Sequence, residues 1–251
     1  MITLASDFGS PYPAAMRGVM LQRSDARLVD IAHDLPRQDV RTAAFWLREV
    51  LPYFPPAVHC VVVDPGVGTE RAAIVIRVGE HALVGPDNGV LLPVVRELAE
   101  DDGFEVFDIA YTDTESNTFH GRDVFAPAAA RVHEAGVDAI ETLDGITPVE
   151  EWVGLSFPTP VVGESTATGE VLVVDDFGNV ITNIPGSVLD ELETIHINGS
   201  RAPVADSYAA VDPGHHLVTV GSHGNLECAV NQGRGDEAFD LEVGDRVTAD
   251  W

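Results

Sequence analysis

Asp64 and Arg71 stand seven residues apart in the stretch VVVDPGVGTER, residues 61–71. A carboxylate can take a proton from a small nucleophile, and a neighbouring guanidinium can orient that carboxylate and offset developing negative charge. The three valines read as a buried strand, with Asp64 at its carboxyl end. Pro65, Gly66 and Gly68 turn the chain sharply and let a ligand approach the backbone. In open α/β sheets ligands bind just beyond the carboxyl ends of the strands, which is where this pair would stand. The same residues also describe a plain turn, in which Asp64 caps local N–H groups and Arg71 is solvated.

Five more polar, glycine-containing stretches fall at expected element ends. They are Ser6-Asp7-Phe8-Gly9, Gly85-Pro86-Asp87-Asn88-Gly89, Thr118-Phe119-His120-Gly121-Arg122-Asp123, Asp175-Asp176-Phe177-Gly178-Asn179 and Gly221-Ser222-His223-Gly224-Asn225. Asp7 can cap a helix or grip a ribose diol. His120 can be a satisfied polar residue at a helix start or can hydrogen-bond a reacting water. Asp123 suits a helix N-terminus, where the dipole favours negative charge. Asp87-Asn88-Gly89 reads as a tight turn.

Several chemistries find no motif. The nine histidines include the pair His215-His216 but no HxxxH or HExxH spacing, and neither cysteine belongs to a CxxC pair, so no metal site is expected. There is no Walker A loop, no GxGxxG after the first strand and no GxSxG elbow.

The elements that must position these residues follow from periodicity. Strands are expected at Ile2–Ala5, Leu28–Ala32, Val58–Val63, Ala73–Val78, Ala82–Gly85 and Glu105–Ile109. Helices are expected over Ala14–Gln22, from Asp39 through Leu51, over Val90–Leu98, and from Asp123 to near Gly136. This alternation predicts an α/β domain, residues 1–155, with a mainly parallel sheet and helices on both faces. Trp152–Pro160 reads as a linker. Beyond it, short strands at Glu170–Val174, Val180–Asn183, Thr194–Ile197, Leu217–Val220, Leu226–Val230 and Arg246–Thr248 are separated by turn signals such as Asn198-Gly199. They predict a smaller C-terminal β-barrel domain, residues 163–251.

Forty-one acidic residues face 14 basic ones, a net charge of −27, and every basic residue is arginine. The acids are spread along the chain, so they form a surface, not a disordered tail. Such a surface repels itself in dilute salt, and a Debye length of about 3 Å at molar salt screens that repulsion. A halophilic protein is expected. The balance excludes nucleic-acid binding, which wants a basic face. No apolar run reaches the roughly 18 residues of a membrane span, and the N-terminus has no signal-peptide pattern. Cys60 and Cys228 lie in apolar strand contexts and are expected as buried thiols of a cytoplasmic protein.

Taken in order, SDFG, YFPPAVHCVVVDPGVGTER, VGPDNGVL, TFHGRDVFAPAAA, DDFGNVITNI and GSHGNLECAVNQG closely resemble the S-adenosylmethionine hydroxide adenosyltransferase family, or SAM hydrolases, relatives of the SAM-dependent fluorinase and chlorinase. The resemblance covers nearly the whole chain. It implies a homotrimer with active sites at subunit interfaces. It implies attack of water at the ribose C5′ of S-adenosylmethionine, possible for either sulfonium epimer, giving adenosine and methionine with no cofactor. It carries the family's catalytic set onto Asp64, Arg71 and His120. It carries ribose and substrate contacts onto Asp7, Phe8, Asp175, Phe177, Asn179, Ser222, Glu227 and Val230. Where the fluorinase halide pocket uses hydroxyl side chains, this chain has Val67 and Gly121, and Asp64 replaces a halogenase tyrosine. That favours water over a halogenase reaction or its reverse. A non-catalytic adenosine-binding or SAM-binding module would not need Asp64, Arg71 and His120 together. One departure is that the segment around Tyr12 lacks the acid that helps hold the substrate's amino group in the halogenases.

Overall fold

The computed structural model describes residues 1–99, 103–111 and 116–251. The chain forms two units, Met1–Ser156 and Phe157–Trp251. In the first, the elements run β1 (Ile2–Ser6), α1 (Tyr12–Leu21), β2 (Leu28–Ala32), α2 (Val40–Val50), β3 (Val58–Val62), β4 (Ala73–Val78), β5 (His81–Pro86), α3 (Leu92–Ala99), β6 (Glu105–Ile109), α4 (Ala126–Ala135) and β7 (Ile146–Val149). The strands form one sheet in the order β2-β1-β3-β5-β4-β6-β7. β2, β1, β3, β5 and β6 run one way, and β4 and β7 run against them.

Period-two alternation assigns the faces. Ile2 and Leu4 of β1 and Val58, Cys60 and Val62 of β3 share a core with Met16 and Met20 of α1 and Ala128, Ala129 and Val132 of α4. Helices α2 and α3 pack on each other, and α3 also packs against β4. Asp39 caps α2 by accepting the Thr42 amide at 3.0 Å, a contact worth about 1 kcal/mol.

One helix start differs from expectation. Asp123 does not open α4; it lies inside a π-helical turn, Gly121–Phe125. Pro127 has no N–H for the Asp123 carbonyl, so the ordinary helical ladder begins only at Ala126. Asp123 instead accepts the Ser116 amide at 2.9 Å and pairs with Arg122. β7 was not expected from the sequence: Pro148 and Thr147 give it no apolar alternation, and its hydrogen bonds to β6 define it.

The second unit holds β8 (Val161–Val162), β9 (Thr166–Val174), β10 (Val180–Pro185), β11 (Thr194–Ile197), β12 (Ser200–Pro203), β13 (His216–Val220), β14 (Asn225–Val230), α5 (Gly235–Phe239) and β15 (Arg246–Asp250). Its order is β12-β11-β15-β9-β10-β14-β13, with β8 on β9. Val204, just past β12, bridges Val218 of β13, and Ala205 N–H donates to the Val218 carbonyl at 3.0 Å. That contact brings the two ends of the sheet together into a nearly closed barrel. Asn198 and Gly199, both at positive φ, form the two-residue turn between β11 and β12. Val171, Val180, Ile195, Ile197, Val218, Leu226 and Val247 fill the interior.

Candidate active site

Two parallel neighbours, β1 and β3, deliver the first site residues just past their carboxyl ends: Asp7 follows β1, and Asp64 follows β3. Both are buried, and both line one cavity of about 730 Å³ with Phe8, Tyr12, Arg37, Gln38, Val67, Ser116, Thr118, Phe119 and Arg122. The turn after β3 needs its glycine. At Gly68, with φ +78°, a Cβ would sit 2.6 Å from the Asn117 carbonyl oxygen.

That turn returns Arg71 onto Asp64. The guanidinium Nε donates to Oδ1 at 2.9 Å, and Nη2 donates to Oδ2. The pair is buried, and Arg71 lies over the Phe125 ring at 5.0 Å. Nη2 also reaches His120 Nδ1 at 3.0 Å. Tyr111 rests edge-on against the His120 ring and donates its hydroxyl to the Arg71 carbonyl at 3.2 Å. Burial first, then the Arg71 charge, pushes the His120 pKa down, which keeps the ring neutral. A guanidinium can only donate, so Nδ1 must accept, and the ring proton sits on Nε2. His120 therefore offers a donor at Nε2, and Asp64 keeps lone pairs beyond its two arginine contacts. An acceptor and a donor held by one buried arginine can orient a water.

Asp7 is fixed by the Gln38 amide, which donates to Oδ2 at 2.8 Å. Phe8, Tyr12 and Phe119 form a mutual edge-to-face cluster with centroids 5.4–6.3 Å apart. Gly121 lets Phe8 in: a Cβ at 121 would meet Phe8 Cε2 at 3.0 Å and the Met16 sulfur at 3.1 Å. A hydroxyl-bearing side chain cannot stand there while Phe8 keeps its place.

In the second unit, Asp175 organises a turn. Its Oδ1 accepts the Phe177 and Asn179 amides at 2.9 and 2.8 Å, and its Oδ2 accepts Asn179 Nδ2 at 3.0 Å. Both oxygens are engaged, so Asp175 shapes the turn. Phe177 is left 78% exposed. Tyr208 donates its hydroxyl to Glu227 Oε1 at 2.6 Å and accepts from Asn179 Nδ2 at 3.4 Å. Burial first, then the Glu227 hydrogen bond, raises the Tyr208 pKa; burial also raises that of Glu227. Ser222 stands in the β13–β14 turn, and Val230 ends β14, half-buried. Asp175, Phe177, Asn179 and Glu227 are thus brought together; Ser222 and Val230 lie at opposite ends of one strand.

Sequence reasoning missed Tyr111, Gln38 and Tyr208. Gln38 acts through its amide, which leaves no side-chain signal. Tyr208 sits in a short 3-10 turn without periodicity. Among the described residues no group of three or more His, Cys, Asp or Glu could hold a metal ion.

Comparisons with known proteins agree over both units. Residues 2–143 match the model of the SAM hydroxide adenosyltransferase N-terminal domain, and residues 169–248 match that of its C-terminal domain. An (R)-S-adenosyl-L-methionine hydrolase from Salinispora arenicola is 40% identical, over 99% of this chain and 97% of the relative. A solved structure titled as an uncharacterized conserved protein from Thermotoga maritima superposes with a TM-score of 0.84 at 33% identity, covering 100% of both chains. A fluorinase from an Actinoplanes species is more distant, at 23% identity over 99% of this chain and 96% of the relative.

Proposed function

Because the chain belongs to the SAM hydroxide adenosyltransferase family, we propose that it hydrolyses (R)-S-adenosyl-L-methionine to adenosine and L-methionine. The observation that carries this reading is the buried Asp64–Arg71–His120 set beside the cavity. A sulfonium leaves as a neutral thioether, so no general acid is needed to expel methionine. The difficulty lies in presenting a water in line, about 3–3.5 Å from C5′. Asp7 grips the ribose diol, Asp64 accepts from the water and takes its proton, and His120 Nε2–H donates to the water oxygen. Arg71 holds both partners and offsets the charge of a hydroxide-like nucleophile. The water oxygen bonds to C5′, the C5′–S bond breaks onto sulfur, and one proton is released. No cofactor belongs to this reading.

Water is favoured over halide by the close approach of Phe8 to Gly121, which removes room for a hydroxyl side chain. Incubation with each sulfonium epimer in ¹⁸O-labelled water containing chloride tests the reading. The expected nucleoside is adenosine labelled at the 5′ oxygen, formed faster from the (R) epimer. Chlorinated nucleoside, or no nucleoside, would end it.

Adenosine contacts from Phe177, Asn179, Ser222, Glu227 and Val230 belong to the same proposal, as does a homotrimer with active sites at subunit interfaces. The 78% exposure of Phe177 supports it, because a bare aromatic ring gains by being covered. Free, buried Cys60 and Cys228 suit a reducing cytoplasm. No described helix is long and apolar enough to cross a membrane.

We also read the surface as halophilic, from a charge of −27 carried without lysine. The melting temperature is expected to rise as potassium chloride goes from dilute to molar. Light scattering over the same series should give the mass of three chains at high salt. A flat or falling melting temperature would remove the halophilic reading, and a monomer mass at every salt the trimer.

A further inference from the structure

The cavity beside Asp64 contains two arginines, and only one of them is neutralised. Arg122 lies on the Asp123 carboxylate, with its Nη2 donating to Oδ2 at 3.0 Å, and sits over the Phe119 ring at 5.4 Å. Arg37 has no ion-pair or hydrogen-bond partner among the described residues, in a chain of net charge −27. Its backbone is nevertheless pinned on both sides. The next amide, Gln38 N–H, donates to Asp7 Oδ2 at 2.8 Å, and Asp39 N–H donates to the Pro36 carbonyl at 3.2 Å before capping α2. The guanidinium reaches over Gly9, where Nη2 would lie 3.8 Å from an added Cβ.

Arg37 is exposed at the cavity's edge, so its guanidinium is solvated there and stays free to pair with an anion that enters. The sulfonium substrate carries two positive groups, the sulfonium and the α-ammonium, and one negative group, the α-carboxylate. Only the carboxylate can use Arg37. The overall negative field of the protein works against that carboxylate, and a local cation offsets it. The planar guanidinium suits the job because it donates two parallel hydrogen bonds to a carboxylate. Arg17, five residues after Tyr12 on α1, is paired with Asp30 and is not among the cavity's lining residues.

We propose that Arg37 is the specificity-determining residue that clamps the substrate's α-carboxylate, one residue away from the amide that fixes the ribose-gripping Asp7. This rests on the hydrolase reading above. The clamp holds the amino-acid end by its carboxylate, in a chain that lacks the acid near Tyr12 by which the halogenases help hold the amino group. Ribose and carboxylate grips then come from two adjoining segments, Asp7 after β1 and residues 37–38 before α2, joined by the Gln38 amide.

Steady-state kinetics with S-adenosylmethionine and its decarboxylated analogue of the same sulfonium configuration test this on the full-length protein. The wild type should prefer the carboxylate-bearing substrate in kcat/KM by roughly 10–100-fold, the range of a charge-assisted bidentate contact. Arg37→Gln should lose that preference, mainly through a raised KM for the carboxylate-bearing substrate, and handle the decarboxylated one as the wild type does. Adenosine affinity should be unchanged. Equal losses on both substrates would make Arg37 a structural residue, and an unchanged preference would overturn the clamp outright. Should the wild type hydrolyse neither substrate, the hydrolase reading fails instead. Calorimetric binding of the two sulfonium compounds to wild type and Arg37→Gln then decides the clamp by the same comparison.

Discussion

Replacing Asp64 by Ala is expected to lower kcat by roughly 10²–10⁴-fold, the usual range for a positioned acid–base group. Replacing His120 by Ala should fall in the same range. Asp64 sits past β3 at the cavity, with both oxygens on Arg71, and His120 takes a third contact from the same guanidinium. Removing either group frees the water that the set would orient. The Asp64→Ala change also leaves Arg71 buried without its carboxylate, which costs about 3–5 kcal/mol in comparable buried pairs. Asp64→Asn is therefore the cleaner variant, since it keeps volume and one acceptor while removing the base. Because His120 is read as an Nε2–H donor, His120→Gln should retain more activity than His120→Ala. Asp7→Ala should behave differently: adenosine binding weakens, and single-turnover rates at saturation change less. Adenosine titration calorimetry, single-turnover rates and melting curves separate the three effects. Folded Asp64→Asn and His120→Ala proteins that turn over at the wild-type rate would make these residues structural and the mechanism wrong.

How much of this was legible in the sequence depended on which interactions define each feature. β2, β4, β6 and β11 match their sequence boundaries because β-branched runs between turn residues leave little choice. Asp39 marks the start of α2 through its own side chain, and Asn198-Gly199 marks its hairpin through positive φ. β12 and β7 escaped because their partners define them, not their composition. Ser200–Pro203 is polar, and it exists as a strand through pairing with β11 and closure toward β13. The π-helical turn escaped because it arises from Pro127 acting on a carbonyl four residues earlier, while Asp123 looks locally like a helix start. In the candidate site, Asp64 and Arg71 share one turn and were visible as a pair. His120 lies 49 positions beyond Arg71, and only the sheet brings it to hydrogen-bond distance. Local periodicity carries no information about such a meeting. The resemblance to a family supplied it. Tyr111 joins through a backbone carbonyl and a ring edge, contacts that any tyrosine could make and that no spacing announces.

Acidification should destabilise the protein through His59 more than through any other histidine. His59 is fully buried on β3, between the Thr3 hydroxyl at 2.8 Å and His81 Nδ1 at 2.9 Å, with the His59 and His81 rings stacked at 5.2 Å. Burial first, then the neighbouring His81, pushes its pKa down from 6.5 to about 3. Above pH 6.5 the ring is neutral in folded and unfolded chains, and no proton difference exists. Between pH 6.5 and about 3 the unfolded chain binds one more proton at this position, so stability falls as pH falls. The slope is roughly 1.4 kcal/mol per pH unit. Below the folded pKa both states are protonated and the loss is complete. Forty-one acidic residues act in the opposite direction, because protonating them relieves the repulsion of a −27 chain. The wild-type profile alone therefore does not isolate the histidine. A His59→Gln variant carries the same carboxylates without the titrating ring, so the difference between the two stabilities cancels the surface term. Denaturant unfolding from pH 7.5 to 4 at fixed salt should show the wild type losing its advantage over the variant by several kcal/mol as pH falls. A difference that stays constant across this range would mean that His59 keeps an ordinary pKa, and that its burial between β1 and β5 has no electrostatic cost.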